Sequence, residues 1–259
     1  MQQVRILVED VSVDYSGNLA LRDAHLKVYA GSICGLIGVN GSGKSTLFKA
    51  IMGFLTPTSG HVRIDGMPVK KAQKLGRIAY VPQAEEIDWN FPVNVWDVVM
   101  MGRYGYMNIL RMPRAQDNQM AEQALRQVQM FEYKDRQIGE LSGGQKKRTF
   151  LARALAQEAD IMLLDEPFTG VDAKTQATII DLLVEQRNRG CTILISTHDL
   201  ASVETFCDHV ALVNKTVLAY GPTRDVFTAE NIDRAFGGVL RHLKFSTNDS
   251  ISQKMEVVS

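Results

Sequence analysis

The sequence predicts an α/β fold: a mainly parallel sheet, an antiparallel β layer ahead of it and a helical subdomain inserted into it. Three observations carry this prediction. The first thirty residues alternate apolar and polar positions, and between about residues 85 and 142 strand-like patterns give way to helical ones. From Gly143 onward, short apolar runs alternate with helix-length segments, the order that builds a parallel sheet.

In order along the chain, Ile6-Leu7-Val8, Val11 and Val13, then Leu21, Leu26 and Val28, read as antiparallel strands with one face buried. Ile33-Cys34-Gly35-Leu36-Ile37 is nearly all apolar, the pattern of a central strand covered on both faces. A helix follows at about 45–52, stopped by Gly53 with Pro57 beyond it. A hairpin-like stretch at 61–66 and a strand at 78–81 lead into the inserted region, where Met120, Ala124, Leu125 and Val128 recur at helical spacing over 116–130. The core resumes as helix 143–157, strand 161–164, helix 173–189, strand 192–196, helix 200–207 and strand 210–213; residues 244–259 are polar without periodicity, as in a frayed tail. The expected organisation is one domain over 1–240, with its core in 1–84 and 143–240, a helical subdomain in 85–142, and a polar tail at 241–259.

Composition narrows the function. With 259 residues, 29 basic and 29 acidic side chains, the chain suits one large globular unit, and its zero net charge argues against a polybasic nucleic-acid binder. No apolar run reaches the roughly 18 residues of a membrane-spanning helix, and the segment from Met1 to Arg5 has no apolar signal core, so the chain is expected neither to span a membrane nor to be exported. Cys34, Cys191 and Cys207 are odd in number and far apart, which fits a reducing compartment. The five histidines do not cluster, which argues against a structural metal site.

The chemistry starts at the end of the central strand. Gly38-Val39-Asn40-Gly41-Ser42-Gly43-Lys44-Ser45-Thr46 has the P-loop spacing, and it lies after a buried strand and before a helix, as that motif requires. Glycines let successive backbone N–H groups converge on phosphate oxygens, and the helix N-terminus adds partial positive charge. Lys44 is then expected to reach the β- and γ-phosphates and the Ser45 hydroxyl to ligate Mg2+. Downstream, Ile161-Met162-Leu163-Leu164 ends abruptly in Asp165 and Glu166, at the strand end where α/β sheets bind ligands. Adjacent strand residues point to opposite sides, so the two acids are expected to differ in role: Asp165 at the Mg2+ site, Glu166 as general base toward water.

Leu141-Ser142-Gly143-Gly144-Gln145 opens the next helix. Ser142 and Gln145 have the form of a capping box, but two glycines inside a helix cost about 1 kcal/mol each relative to alanine. A second phosphate-facing helix N-terminus gives them a purpose. With the P-loop, LSGGQ and the LLDEP strand end together, the sequence from about residue 4 to 236 resembles the nucleotide-binding subunit of an ATP-binding cassette (ABC) transporter. That resemblance implies a P-loop NTPase (RecA-like) core, hydrolysis of ATP with Mg2+, and a head-to-tail dimer in which the P-loop of one copy and the signature of the other enclose each nucleotide. It also implies transmembrane permease subunits, an extracytoplasmic binding protein, and a peripheral position at the cytoplasmic face of the membrane.

Further positions carry over one by one. Tyr15 matches the adenine-stacking aromatic, Gln83 the glutamine that meets Mg2+ and the attacking water, and His198 the switch histidine at the γ-phosphate. Asp172, in Thr169-Gly170-Val171-Asp172, matches the acid of the loop that crosses the dimer. Residues 88–104, with this glycine-valine loop variant, resemble the branch that energises importers of manganese, iron or zinc; importers of metal chelates such as siderophores, haem or cobalamin are the alternative. Six of the eleven methionines fall between Met100 and Met130, but thioethers do not suit manganese or zinc, and adaptable packing or a groove for the permease explains them better. A DNA-repair or translation ATPase of this family would need a long coiled coil or a second cassette. A GTPase would need an acid where Asn214-Lys215-Thr216 is followed by Val217, and neither it nor a kinase explains LSGGQ.

Overall fold

The computed structural model describes residues 3–83 and 91–237. Two sheets face each other across an apolar layer. The first is antiparallel, with β1 (Val4–Tyr15), β2 (Asn18–Tyr29), β4 (Ser59–Ile64) and β5 (Met67–Pro68) in the order β2-β1-β4-β5. The second runs β10-β9-β3-β8-β7-β6, formed by β3 (Ile33–Ile37), β6 (Ile78–Val81), β7 (Ile161–Asp165), β8 (Thr192–Thr197), β9 (His209–Val213) and β10 (Val217–Pro222). It is parallel except for β10, which pairs antiparallel with β9.

The fully apolar strands are buried on both faces, as their composition predicts. Cys34 and Leu36 of β3 face the layer under the antiparallel sheet, while Ile33 and Ile37 face the helices on the other side; Ile161 and Leu163 against Met162 and Leu164 divide in the same way on β7. α1 (Lys44–Ile51) sits in the first layer, burying Leu47, Phe48 and Ile51, each worth about 2 kcal/mol of apolar transfer. Alternation along β1 slips once: Ile6 and Val8 are buried, then Val11 and Val13, because the register with β2 shifts at Asp10, whose φ is 51°.

The remaining helices lie on the second face. α3 (Val95–Met101), α4 (Ala115–Gln127) and α5 (Gly143–Ala156) pack together, followed by α6 (Ala173–Asn188), α7 (Leu200–Phe206), α8 (Thr223–Val226) and α9 (Ala229–Phe236). The short α2 (Val69–Lys74) lies beside β4 and β5. α3 and α5 meet at Gly102, where a Cβ would lie 2.3 Å from the Arg153 carbonyl, so only glycine allows that approach. Just beyond, Arg103 is buried whole. Its guanidinium donates to Asp117 at the start of α4 (3.1 Å), to the Ala156 carbonyl at the end of α5 (2.7 Å) and to Glu158 (2.7 Å), and it stacks on Tyr106. The Arg114 backbone N–H, with Arg103 behind it, holds the Asp117 carboxyl below the usual carboxylate range.

The expected helix at 116–130 is α4, and 143–157 is α5, each within a few residues. Met100 and Met130 fill the core, while Met112 is exposed. The proposed junction at 84/85, Asp88-Trp89-Asn90 of the importer-like stretch and the 241–259 tail lie outside the described residues.

Candidate nucleotide site

At the carboxyl end of β3 the chain turns through Gly38–Thr46 into α1. Crowding dictates glycine here. A Cβ on Gly38 would stand 2.3 Å from the Val213 carbonyl, and Gly43, the N-cap of α1, has φ 103° with the Ala20 carbonyl 2.9 Å from any added Cβ. The resulting cleft of about 410 Å3 is lined by Asn40, Gly41, Gly43, Lys44, Ser45 and Thr46 from the loop, by Ala20 of β2, by Gln83 beyond β6 and by Glu166 beyond β7. A larger cleft of about 560 Å3, at Arg5, Gln127, Asp160 and Arg189, lies by the opposite strand ends and has no such loop; chemistry, not size, selects between them.

Lys44 is buried and donates to the carbonyls of Gly38 (2.7 Å) and Val39 (3.1 Å), which pre-orders the loop around its own cation. Burial lowers its pKa below the ordinary lysine value, and the charges of Glu166 and Asp165 work against that fall. The Ser42 hydroxyl is buried without a hydrogen-bond partner among the described residues, and the backbone of Lys215 donates to the Ser42 carbonyl. A curled backbone at a helix start, with one enclosed cation, fits a polyphosphate. The hydroxyls of Ser45 and Thr46, the Gln83 amide and the Glu166 carboxylate give the cleft hard oxygen donors, with the buried Asp165 next to Glu166 at the end of β7, a chemistry that fits Mg2+.

The two acids part as the strand geometry predicts, but through a sharper device than alternation. Asp165 is the last residue of β7 and accepts from the Ser196 hydroxyl. Glu166 leaves the strand with φ 50°, a conformation costing roughly 1 kcal/mol for a residue with a Cβ, and its N–H is held by Ser196 Oγ at 3.0 Å. Glu166 Oε2 lies 2.8 Å from His198 Nδ1 and accepts from Thr169 Oγ1 at 3.3 Å. A carboxylate only accepts, so the proton of this pair sits on Nδ1. His198 follows β8, where the expected strand 192–196 runs to Thr197.

Ser142 caps α5. Its Oγ accepts from the Gln145 N–H (3.3 Å), and the Gln145 side chain accepts from the Ser142 N–H (2.9 Å), so the capping box is real. Gly143 and Gly144 have room. A Cβ on Gly143 would come no nearer than 3.9 Å to the Gly170 carbonyl, and one on Gly144 no nearer than 3.7 Å to Val171. Asp172 caps α6 through the Thr175 N–H (2.9 Å) and hydroxyl (2.8 Å), which hold its pKa below the usual carboxylate range. Tyr15 stands half-exposed at the end of β1, opposite Asn18. Ser142–Gln145, Asp172, Tyr15, Asp165 and His198 do not line the cleft, nor do Gly38 and Ser42 of the loop, whereas Asn40, Gly41, Gly43, Lys44, Ser45, Thr46, Gln83 and Glu166 do.

Ser196, which ties both acids together, and Lys147, which reaches the Glu166 carbonyl (2.8 Å), escaped sequence reasoning. Each acts on a residue 19 or more positions away. Ser196 at a strand end before a histidine was the only signal.

A P-loop nucleoside triphosphatase is what this sheet order and this cleft define. Residues 21–169 match the profile of the family described as ABC transporter, and the chain belongs to that family. It is 62% identical over 240 residues (92% of each chain) to the manganese transport system ATP-binding protein MntA of Synechocystis sp.. It is 55% identical to the chelated iron transport system membrane protein YfeB of Yersinia pestis (93% of this chain, 82% of that one). The zinc transport system ATP-binding protein TroB of Treponema pallidum is 46% identical (90% and 87%). Among solved structures, an inward-facing metal-chelate-type ABC transporter superposes with a TM-score of 0.77 at 29% identity (91% of this chain, 89% of that one). A dimeric ATP-binding cassette bound to ADP and Pi superposes with 0.75 at 25% identity (84% and 98%). The chain is therefore an ATP-binding, ATP-hydrolysing subunit, of a class that works as dimers with membrane permeases. Among the described residues no helix is long and apolar enough to cross a membrane.

Proposed function

We propose that this chain energises import of a divalent metal ion, manganese or iron, with zinc as the third candidate. The observation that carries the cargo is the 62% identity, over nearly all of both chains, to a manganese system's ATP-binding protein. In this reading the chain sits at the cytoplasmic face, docked on its permease, with an extracytoplasmic metal-binding protein delivering the ion. Nucleic acid is not a partner.

Two copies close head to tail around two nucleotides. What supports the arrangement is the room at Gly143 and Gly144: nothing among the described residues demands glycine there, so the bare helix start serves a ligand from outside, the partner's ATP. Tyr15 stacks the adenine; Gly38, Asn40, Gly41, Ser42, Gly43, Lys44, Ser45 and Thr46 wrap the phosphates; and Ser142, Gly143, Gly144 and Gln145 close on the partner's γ-phosphate, with Asp172 lining the dimer seam. Ser45, Asp165 and Gln83 would hold Mg2+, which supplies charge neutralisation to the phosphates. Glu166 takes the proton of the attacking water while His198 and Thr169 fix Oε2, and His198 serves as the switch histidine beside the γ-phosphate.

A metal-chelate importer is the second reading, favoured by the metal-chelate-type transporter structure and the chelated-iron relative. Reconstituting the chain with its permease in vesicles and measuring ATP-driven uptake of Mn2+, Fe2+, Zn2+ and an iron chelate separates the two. Uptake of a free ion is expected. Uptake of the chelate alone would favour the second reading, and uptake of none would refute a metal cargo.

A further inference from the structure

The backbone of Glu166 is held from both sides. Its N–H donates to Ser196 of β8, and its carbonyl accepts from Lys147 Nζ at 2.8 Å, an ammonium one helical turn behind the Ser142 cap. The same helix also bonds to the strand that leads to Gln83. Arg153 donates to the Tyr80 carbonyl at 2.7 Å, near the end of β6, and Gln157, the C-cap of α5, donates to the Ile78 carbonyl at 2.8 Å, at its start. α5 thus carries the signature at its start and bonds both to the Glu166 backbone beyond β7 and to β6, which runs on to Gln83.

We propose that Lys147 is a positioning residue for Glu166: it fixes the carbonyl of a residue held at φ 50° and so aims the carboxylate only when α5 is in place. A charge-assisted bond to a carbonyl is short and directional, whereas without it the Glu166 carbonyl keeps only the longer bond from the Thr169 N–H (3.4 Å) to hold a conformation that L-residues disfavour. Seating α5 against the partner's nucleotide then aligns the base of the chain's own site. The inference rests on the reading of Glu166 as base and of Ser142 as facing the partner's ATP.

The test uses the full chain with its permease, MgATP turnover and fluorescent-ATP binding. Lys147→Met is expected to lower kcat by about 10- to 100-fold, the scale of a misaligned reacting group, with ATP affinity within about twofold of the parent. Lys147→Arg, which keeps a cationic donor, restores most of the rate. On a Glu166→Gln background, Lys147→Met adds no further loss, because the two act as one unit. Thermal melting checks each fold, and Lys147→Gln replaces the methionine variant should that one not fold. Wild-type kcat in Lys147→Met overturns the proposal, and so does an equal loss of kcat and affinity that arginine does not rescue, since that marks a merely structural side chain. Failure of the underlying reading looks different: Glu166→Gln itself would then turn over ATP normally.

Discussion

Glu166→Gln is expected to lower steady-state ATP turnover by about a thousandfold, within the range that a positioned proton acceptor contributes, while ATP still binds. The amide keeps the shape of the side chain and its place beside His198 and Thr169 but cannot take a proton from water. Binding survives because the loop 38–46 and Lys44 are untouched. The nucleotide then persists, and the variant accumulates as an ATP-bound dimer visible by size-exclusion chromatography with MgATP. Undiminished hydrolysis would remove Glu166 from the role of base.

Lys44→Met is expected to weaken ATP binding by about 100-fold, the loss of one or two charge-assisted hydrogen bonds, with turnover falling at least as far. Lys44 already occupies the cleft as a substitute partner for two loop carbonyls, and its burial lowers its pKa. Methionine fills a similar volume, so the cleft keeps its outline and loses the cation. Isothermal titration with ATP measures the effect; affinity within threefold of the parent would mean that the backbone cradle alone supplies the binding.

The variants differ in what the sequence could foretell. Gly43 and Lys44 were legible because the constraint is local: a helix start, a left-handed glycine and a cation within one nine-residue loop; at Gly38 the spacing was legible but the Val213 carbonyl that demands glycine was not. The strand ending in Asp165 and Glu166 was equally plain, since burial on both faces leaves an unbroken apolar run that stops at the ligand edge. Ser196 and Lys147 were not, because their roles exist only once β8 and α5 are laid beside the end of β7. The slip at Asp10 in β1 was also hidden, a left-handed residue having no fixed sequence signature when it is not glycine. α9 could have been found: Thr228 caps its start at Asn231, and Gly237, at φ 60°, ends it.

In the proposed arrangement each catalytic site is built from two chains. Mixing a Lys44→Met chain with a Ser142→Asp chain separates the two halves of such a site. Aspartate is as good an N-cap as serine, so α5 keeps its start while a carboxylate faces the phosphate. Each variant alone is inactive. In the mixed dimer one site joins the intact P-loop of the Ser142→Asp chain to the intact signature of the Lys44→Met chain, so the mixture is expected to recover ATP hydrolysis well above the sum of the two separate samples. Hydrolysis no greater than that sum, in a sample shown to contain mixed dimers, would contradict the shared site.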